Sequence, residues 1–172
     1  MTKVVLPSYC VVVADGARAR FFSLDPASAP RTGYHAALVE RWEMMNPAHS
    51  HSHGPADLPG HDWRRAAAGG PGRNDDASDN NWRREQDRRF AADVLEKVAE
   101  MCQLWSADRA VLVADKRTLG LLRLKMNRMA GVAMVEHSRD LTGMEGPAIH
   151  AHLAAAGILP ATPGEMRQVQ AR

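Results

Sequence analysis

Hydrophobic and polar residues alternate near the start of the chain in a way that predicts two antiparallel strands. The stretch YCVVVADGARARFFSL contains two β-type runs around Asp15-Gly16, a dipeptide typical of a two-residue hairpin turn. The continuous apolar run at residues 11–13 is typical of a central strand that is covered on both faces. A third strand is predicted at AALVERWEMM, residues 36–45, where mixed apolar and charged positions leave a helix as the main rival.

Helical spacing appears in the second half of the chain. Apolar residues recur every three or four positions up to Trp105, which predicts a long helix over residues 82–105. Its candidate N-caps are Asp79, Asn80 and Asn81. The remaining predicted elements are a strand at residues 109–115, a helix from a Thr118 cap to Gly131, a strand at residues 132–137, and a last helix from Pro147 to Gly157.

The element order β-β-β-α-β-α-β-α predicts an α/β fold with one mixed five-stranded sheet, in a ribonuclease-H-like arrangement. The three leading strands form an antiparallel meander, and right-handed crossovers add the later strands in parallel. We expect the apolar runs at residues 11–13 and 111–113 to lie in adjacent central strands. Residues 1–160 are predicted to form a single domain, followed by a loose C-terminal tail at residues 161–172.

Residues 46–81 are predicted to form a long flexible loop within this domain. The segment is rich in Pro, Gly, His, Ser, Asn and Asp and has almost no aliphatic residues, so it has little apolar surface to bury. Loops of this length inside a compact domain are uncommon and are usually functional or disordered.

Composition and charge indicate a cytoplasmic protein. The 172 residues carry a net charge of +2, and Cys10 and Cys102 lie on predicted apolar faces, as is typical of buried thiols in a reducing compartment. No run approaches the roughly 20 apolar residues of a membrane span, and the apolar start is broken by Pro7 and Ser8 without a cleavage site. We therefore expect cytoplasmic localisation, no membrane contact and no cofactor.

Four histidines in the segment HSHSHGPADLPGH are candidate metal ligands, since neutral imidazole binds zinc, nickel and copper. Ser-His repeats are also common low-complexity sequence, and no cysteine lies nearby. This set, called the histidine loop below, consists of His49, His51, His53 and His61. By contrast, His150 and His152 on the last helix are expected to be surface residues.

Carboxylates at the ends of the central strands offer a different chemistry. Asp15 and Asp115 each follow a central strand, and Glu85 and Asp93 lie on the long helix. On a ribonuclease-H-like sheet such acids could hold Mg²⁺ for phosphodiester hydrolysis. Turn geometry and position beyond a strand explain the two aspartates equally well.

Arginines cluster around the glycine-rich stretch AAAGGPGRND and the start of the long helix. Together with exposed aromatic residues such as Trp82, arginines suit contact with the RNA backbone and bases. Nearby aspartates and glutamates could instead pair with them along the helix. The candidate RNA-binding residues are Arg64, Arg65, Gly69, Gly70, Arg73, Arg83 and Arg84.

Four stretches of the chain together resemble the host attachment protein family of bacteria. They are VVVADGARARFF, RRFAADVLEKVAEM, VLVADKRTLGLLRLKM and VEHSRDLTGMEGPAIHAHL. The resemblance implies a fold similar to the middle domain of archaeal and eukaryotic class-1 release factors. In those proteins a Gly-Gly-Gln tip lies between the third strand and the long helix, and here Gly69-Gly70 occupies the matching place with Pro71 instead of glutamine.

Proline lacks both the side-chain amide of glutamine and a backbone N–H. The resemblance therefore implies a binding module that docks on ribosomal or other structured RNA, and the missing glutamine predicts that it is non-enzymatic and does not hydrolyse peptidyl-tRNA. One alternative is a factor that binds a protein partner and is linked to bacterial attachment to host cells. A second alternative is the Mg²⁺-dependent nuclease.

Overall fold

A computed structural model describes residues 8–29, 33–49, 75–126 and 131–161. These residues form five strands and three helices, in the predicted order β-β-β-α-β-α-β-α. The elements are β1 (Tyr9–Ala14), β2 (Arg18–Ala29), β3 (Gly33–Met45), α1 (Asp75–Leu104), β4 (Arg109–Ala114), α2 (Lys116–Arg123), β5 (Ala133–Ser138) and α3 (Gly146–Ala155).

The five strands form one mixed sheet in the order β3-β2-β1-β4-β5, which confirms the predicted fold class. β1 pairs with β2, and β2 with β3, in antiparallel orientation. β4 lies parallel to both β1 and β5. Val11 pairs with Val111 and Val13 with Val113, so the two apolar runs lie in adjacent central strands as predicted. The closer similarity to ribonuclease-H-like folds stays a prediction.

Helices cover both faces of the sheet, which explains why the whole of β1 is buried. Cys10 and Val12 of β1 belong to the cluster that packs against α1 and α2. Val11 and Val13 point to the opposite face, where they pack with α3. Each successive side chain of the strand therefore enters a different half of the core, as the period of two requires.

α1 begins seven residues earlier than predicted, at Asp75. Residues 75–81 are thus helical, and the prediction that the whole of 46–81 is a loop is wrong at its end; residues 46–49 form a turn, and residues 50–74 lie outside the described part. In the sequence, residues 75–81 read DDASDNN and are almost entirely polar. They lack an apolar face, so periodicity could not reveal them.

Other boundaries also differ from the sequence prediction. β3 is a strand, as predicted, and not the rival helix, but it begins three residues earlier than predicted, at Gly33. α2 ends at Arg123, well before Gly131, and its N-cap is Asp115 rather than Thr118. α3 ends two residues before Gly157, whose positive φ of 71° suits a glycine after a helix C-terminus.

A buried arginine attaches the β5–α3 connection to β2. Arg20 is 9% exposed, and its Nη1 donates to the carbonyl oxygens of Thr142 at 3.0 Å and Met144 at 2.7 Å. Its Nε and Nη2 donate to the two carboxylate oxygens of Glu40 at 3.0 and 2.6 Å. The hydrogen bonds from this guanidinium lower the pKa of Glu40. Arg18 adds a 2.6 Å hydrogen bond to the Thr142 carbonyl.

Candidate functional site

The parallel strands β1 and β4 end side by side, at Ala14 and Ala114. After β1 the chain returns through the hairpin to β2, which lies next to β1 on the edge away from β4. After β4 it continues through α2 to β5, which lies next to β4 on the edge away from β1. Crevices outside the carboxyl ends of parallel strands, where the strand order reverses, are common ligand sites in α/β sheets. We therefore take this edge as the first candidate site.

Asp15 follows β1, and both of its carboxylate oxygens accept hydrogen bonds within the fold. Its Oδ1 accepts hydrogen bonds from the backbone N–H groups of Ala17 at 2.7 Å and Arg18 at 2.8 Å, which closes the hairpin turn. Its Oδ2 accepts a 2.9 Å hydrogen bond from the hydroxyl of Thr142. The carboxylate thus connects the hairpin to the β5–α3 connection.

Asp115 follows β4 and caps α2. Its Oδ1 accepts from the backbone N–H groups of Arg117 at 2.8 Å and Thr118 at 3.0 Å, and its Oδ2 accepts from the Thr118 hydroxyl at 2.6 Å. Burial alone would raise the pKa of Asp115, but these hydrogen bonds and the positive charge of Arg117 lower it. The ionised form is therefore the one that the fold requires.

Asp87 of α1 is a third carboxylate at this edge, and it is buried. It accepts a 3.0 Å hydrogen bond from the side-chain amide of Asn46 and a 2.8 Å hydrogen bond from Arg117, and it lies 3.3 Å from Nε2 of His49. Asn46 is fully buried and also donates to the Gly16 carbonyl at 2.7 Å. Sequence reasoning treated Asp87 only as a counter-charge to nearby arginines.

These residues surround a cavity of about 240 Å³. Its polar side is formed by the three aspartates with His49 and Arg117, and its apolar side by Phe90, Ala91, Val94, Leu121 and Leu122. The volume lies below the roughly 300–1,000 Å³ of common small-molecule sites. Among the described residues, no group of three or more His, Cys, Asp and Glu side chains is placed to hold a metal ion. Since donors within the fold already bind the aspartates, the geometry gives no support to a nuclease centre.

The start of α1 forms a second candidate site. Residues 80–85 are all exposed, and the first buried residue after them is Asp87 at the strand ends. At 1.5 Å per residue, the part of the helix from Asp75 to Asp87 is roughly 18 Å long and extends beyond the strand ends. Residues 80–89 are called the arginine arm below.

Within the described part of the chain, two arginines of the arm form ion pairs and two do not. Arg88 and Arg89 contact the carboxylate of Glu85 at 4.0 and 3.1 Å, so the predicted pairing along the helix is present there. Arg83 and Arg84 are exposed, and neither forms an ion pair with a side chain in the described part of the chain. Beside them, Trp82 is 40% exposed.

Several predicted site residues cannot be placed. Outside the described residues lie Arg64, Arg65, Gly69, Gly70 and Arg73 of the predicted RNA-binding set, and His51, His53 and His61 of the histidine loop. The structure therefore places only Arg83, Arg84 and His49 from the two predicted sets.

The two histidines of α3 differ from the prediction. His150 is buried rather than at the surface, and its Nε2 lies 2.9 Å from the carbonyl oxygen of Pro160. His152 is half-buried, and its Nε2 lies 3.1 Å from Nε2 of His137 on β5. Burial, His152 and Arg139 lower the pKa of His137. Sequence spacing gave no signal of this pair, because its members lie on a strand and a helix.

Comparison with known proteins identifies one family. The family model described as "Protein required for attachment to host cells" matches residues 10–153, which include α1, α2, most of α3 and nearly all of the sheet. No curated protein matches the chain. No helix in the described ranges is both long enough and apolar enough to cross a membrane.

Proposed function

The chain belongs to the family of proteins required for attachment to host cells, and from that premise we propose that it is a non-enzymatic module that binds ribosomal or other structured RNA. The observation that carries the proposal is the arginine arm, with Arg83 and Arg84 exposed beyond the strand ends. Exposed guanidinium groups on a helix suit phosphate contacts, because each can donate two parallel hydrogen bonds.

The charge distribution of the arm supports this proposal. Of its two carboxylates, Asp87 is turned into the fold, which leaves only Glu85 among four arginines on the exposed side. The half-exposed ring of Trp82 adds a surface on which a base can stack. Because α1 follows directly on residues 50–74, the arm and the predicted loop arginines belong to one continuous stretch of chain.

The carboxylates of the strand-end site give no support to catalysis. Hydrolysis by two-metal chemistry needs carboxylate oxygens that are free to bind Mg²⁺. Here Asp15 and Asp115 accept hydrogen bonds from backbone N–H groups, and Asp87 accepts them from the side chains of Asn46 and Arg117. This hydrogen bonding favours a structural role for all three carboxylates.

Sedimentation with ribosomes tests the proposal. We expect the protein to sediment with ribosomes in low salt and to be released in high salt, since phosphate contacts release counterions. The variant Arg83→Gln/Arg84→Gln should bind more weakly, and the slope of log K against log[salt] should fall by up to about 0.7–0.9 for each phosphate that is no longer neutralised. The matched control is Arg109→Gln, at the amino end of β4 and so at the opposite end of the sheet.

Two results would contradict the proposal. The first is a protein that stays at the top of the gradient in low salt. The second is an unchanged salt slope in the arm variant. If the arm variant keeps its slope and alanine substitution of Arg64, Arg65 and Arg73 reduces it, the RNA contact lies in the loop alone.

The same assay system tests the glycine pair. We expect the protein not to release labelled peptide from peptidyl-tRNA on ribosomes, because Pro71 offers no donor for the developing oxyanion and no amide to position water. Pro71→Gln alone should not create the activity. Release above a no-factor control by the unmodified protein would make Gly69-Gly70 part of an active tip.

A protein partner linked to attachment is the second candidate function. It is favoured by β3, an edge strand of the sheet on which Trp42 is 49% and Met45 51% exposed. Exposed aromatic and methionine side chains are enriched at protein interfaces. Trp42→Ser/Met45→Ser should leave ribosome binding unchanged under the first proposal. Loss of ribosome binding in this variant, with the arm variant unaffected, would favour a protein contact through β3.

A further inference from the structure

Two imidazole rings meet on the face of the sheet that α3 covers. Nε2 of His137 on β5 lies 3.1 Å from Nε2 of His152 on α3, and the ring centroids are 5.3 Å apart. The nitrogens are therefore much closer than the rings, so the rings approach by their Nε2 corners. The planes are tilted by 59°, which excludes stacking as the basis of the contact.

This contact is separate from the sites described above. Both histidines are half-buried, so the pair is held by the fold and still open to small solutes. Two neutral imidazoles with facing Nε2 atoms can form only one hydrogen bond, in which one ring donates and the other accepts. A metal ion between them would instead use the lone pairs of both nitrogens.

The nitrogen separation fits a shared metal ion. Zn²⁺ binds imidazole nitrogen at about 2.0–2.1 Å, so two ligands at a tetrahedral angle are roughly 3.3 Å apart. The observed 3.1 Å differs from this by only a few tenths of an ångström. Small side-chain rotations of the two rings are enough to admit the ion.

We propose that His137 and His152 bind one divalent transition-metal ion and thereby connect β5 to α3. Imidazole pairs select Zn²⁺, Ni²⁺ or Cu²⁺ over Mg²⁺ and Ca²⁺, which prefer oxygen ligands. No third His, Cys, Asp or Glu joins the pair within the described ranges. In those ranges the protein thus supplies two ligands, and water or a bound partner fills the remaining positions.

Affinity for copper should exceed that for nickel or zinc, in the usual order for nitrogen ligands. The site does not depend on the histidine loop, which could bind the same ions. Binding between β5 and α3 should stabilise the fold, because both ligands are correctly placed only when the strand and the helix are packed together.

Thermal unfolding of the metal-stripped protein, with and without ZnCl₂, tests the site. At zinc concentrations about a hundredfold above the dissociation constant, Tm should rise by at least about 5 °C. A variant with all four residues of the histidine loop replaced by alanine should show the same rise. The variant His137→Gln/His152→Gln should show none, and MgCl₂ should have no effect on any of the three proteins.

Ring-nitrogen NMR on the unmodified protein keeps the test valid if the glutamine variant folds poorly. One equivalent of Zn²⁺ should shift the Nε2 signals of the two histidines together. The proposal is overturned if zinc stabilises the glutamine variant as much as the unmodified protein. It is equally overturned if the rise in Tm disappears with the histidine loop, or if the two Nε2 signals do not move.

Discussion

Arg20 is the side chain whose removal should destabilise the fold most clearly. It is nearly buried and donates to Glu40 and to the carbonyl oxygens of Thr142 and Met144. In Arg20→Ala the Met144 carbonyl loses the hydrogen bond from Arg20, and the Thr142 carbonyl keeps only the one from Arg18. The carboxylate of Glu40 loses its partner as well, although its side chain is 38% exposed and water can replace part of the interaction.

The expected cost follows from these contacts. Removing one partner of a buried charged pair costs about 3–5 kcal/mol, and the exposure of Glu40 places this case at the lower end. We expect Arg20→Ala to reduce the free energy of unfolding by about 3 kcal/mol, which corresponds to a Tm lower by roughly 6–12 °C in a chain of this size. The free energy of unfolding of Arg20→Lys should lie between those of the unmodified protein and Arg20→Ala, because lysine keeps the charge but cannot form the paired hydrogen bonds to Glu40.

Arg41→Ala is the matched control. Arg41 also bridges β3 and β2, through Asp25 and a 2.8 Å hydrogen bond to Ser23, but its side chain is 45% exposed. Exposed ion pairs contribute about 0–1 kcal/mol, so this variant should unfold near the midpoint of the unmodified protein. Urea denaturation followed by circular dichroism measures both. Equal shifts for Arg20→Ala and Arg41→Ala would refute the argument from burial.

Three further predictions concern single positions. Gly120→Ala should stabilise α2 by about 0.5–1 kcal/mol, since nothing lies within 4 Å of the added Cβ. Gly146→Ala should destabilise the fold, because its Cβ would lie 3.1 Å from the carbonyl oxygen of Leu38 on β3. Urea midpoints of the two variants that shift in the same direction would contradict this prediction. In the folded protein the pKa of Asp115 lies below its ordinary value of 3.8, so the stability that its carboxylate adds to the fold is complete above pH 3.8 and is lost as the pH falls through the folded pKa. Asp115→Asn should therefore flatten the pH dependence of the free energy of unfolding in this acid range. An unchanged profile would argue against the role of Asp115 as the N-cap of α2. The hydrogen bond between Cys10 and Cys102 raises the pKa of Cys10 and lowers that of Cys102, but both thiols are buried, so neither should react with a disulfide reagent until the protein unfolds, and rapid labelling in native buffer would contradict their burial.

The centre of the fold could be predicted from the sequence because its signals are local. The apolar runs of β1 and β4 are short and β-branched, as strands covered on both faces must be, and Asp15-Gly16 marks the hairpin between β1 and β2. These features fix which strands are central. Pairing partners then follow from the limited number of ways to connect such elements.

The start of α1 and the contacts at the sites could not be predicted in the same way. A helix shows periodicity only where one face is buried, and residues 80–85 are exposed on all sides. The burial of Asp87 depends on Asn46, which lies 41 positions earlier in the chain. The contact of His137 with His152 depends on how α3 is rotated on the sheet, and no local pattern encodes that rotation.

The place of β1 in the sheet has a consequence for synthesis on the ribosome. One edge of β1 pairs with β2 immediately after the hairpin, but the other edge pairs with β4, which begins at Arg109. At about 5–20 residues per second, roughly 5–20 s pass between the synthesis of Ala14 and that of Arg109. During this time β1 can pair only with β2, and its other edge stays unpaired until β4 is made. A strand edge of this kind is a site for aggregation and for chaperone binding, so yield in the cell should depend on how quickly translation reaches β4.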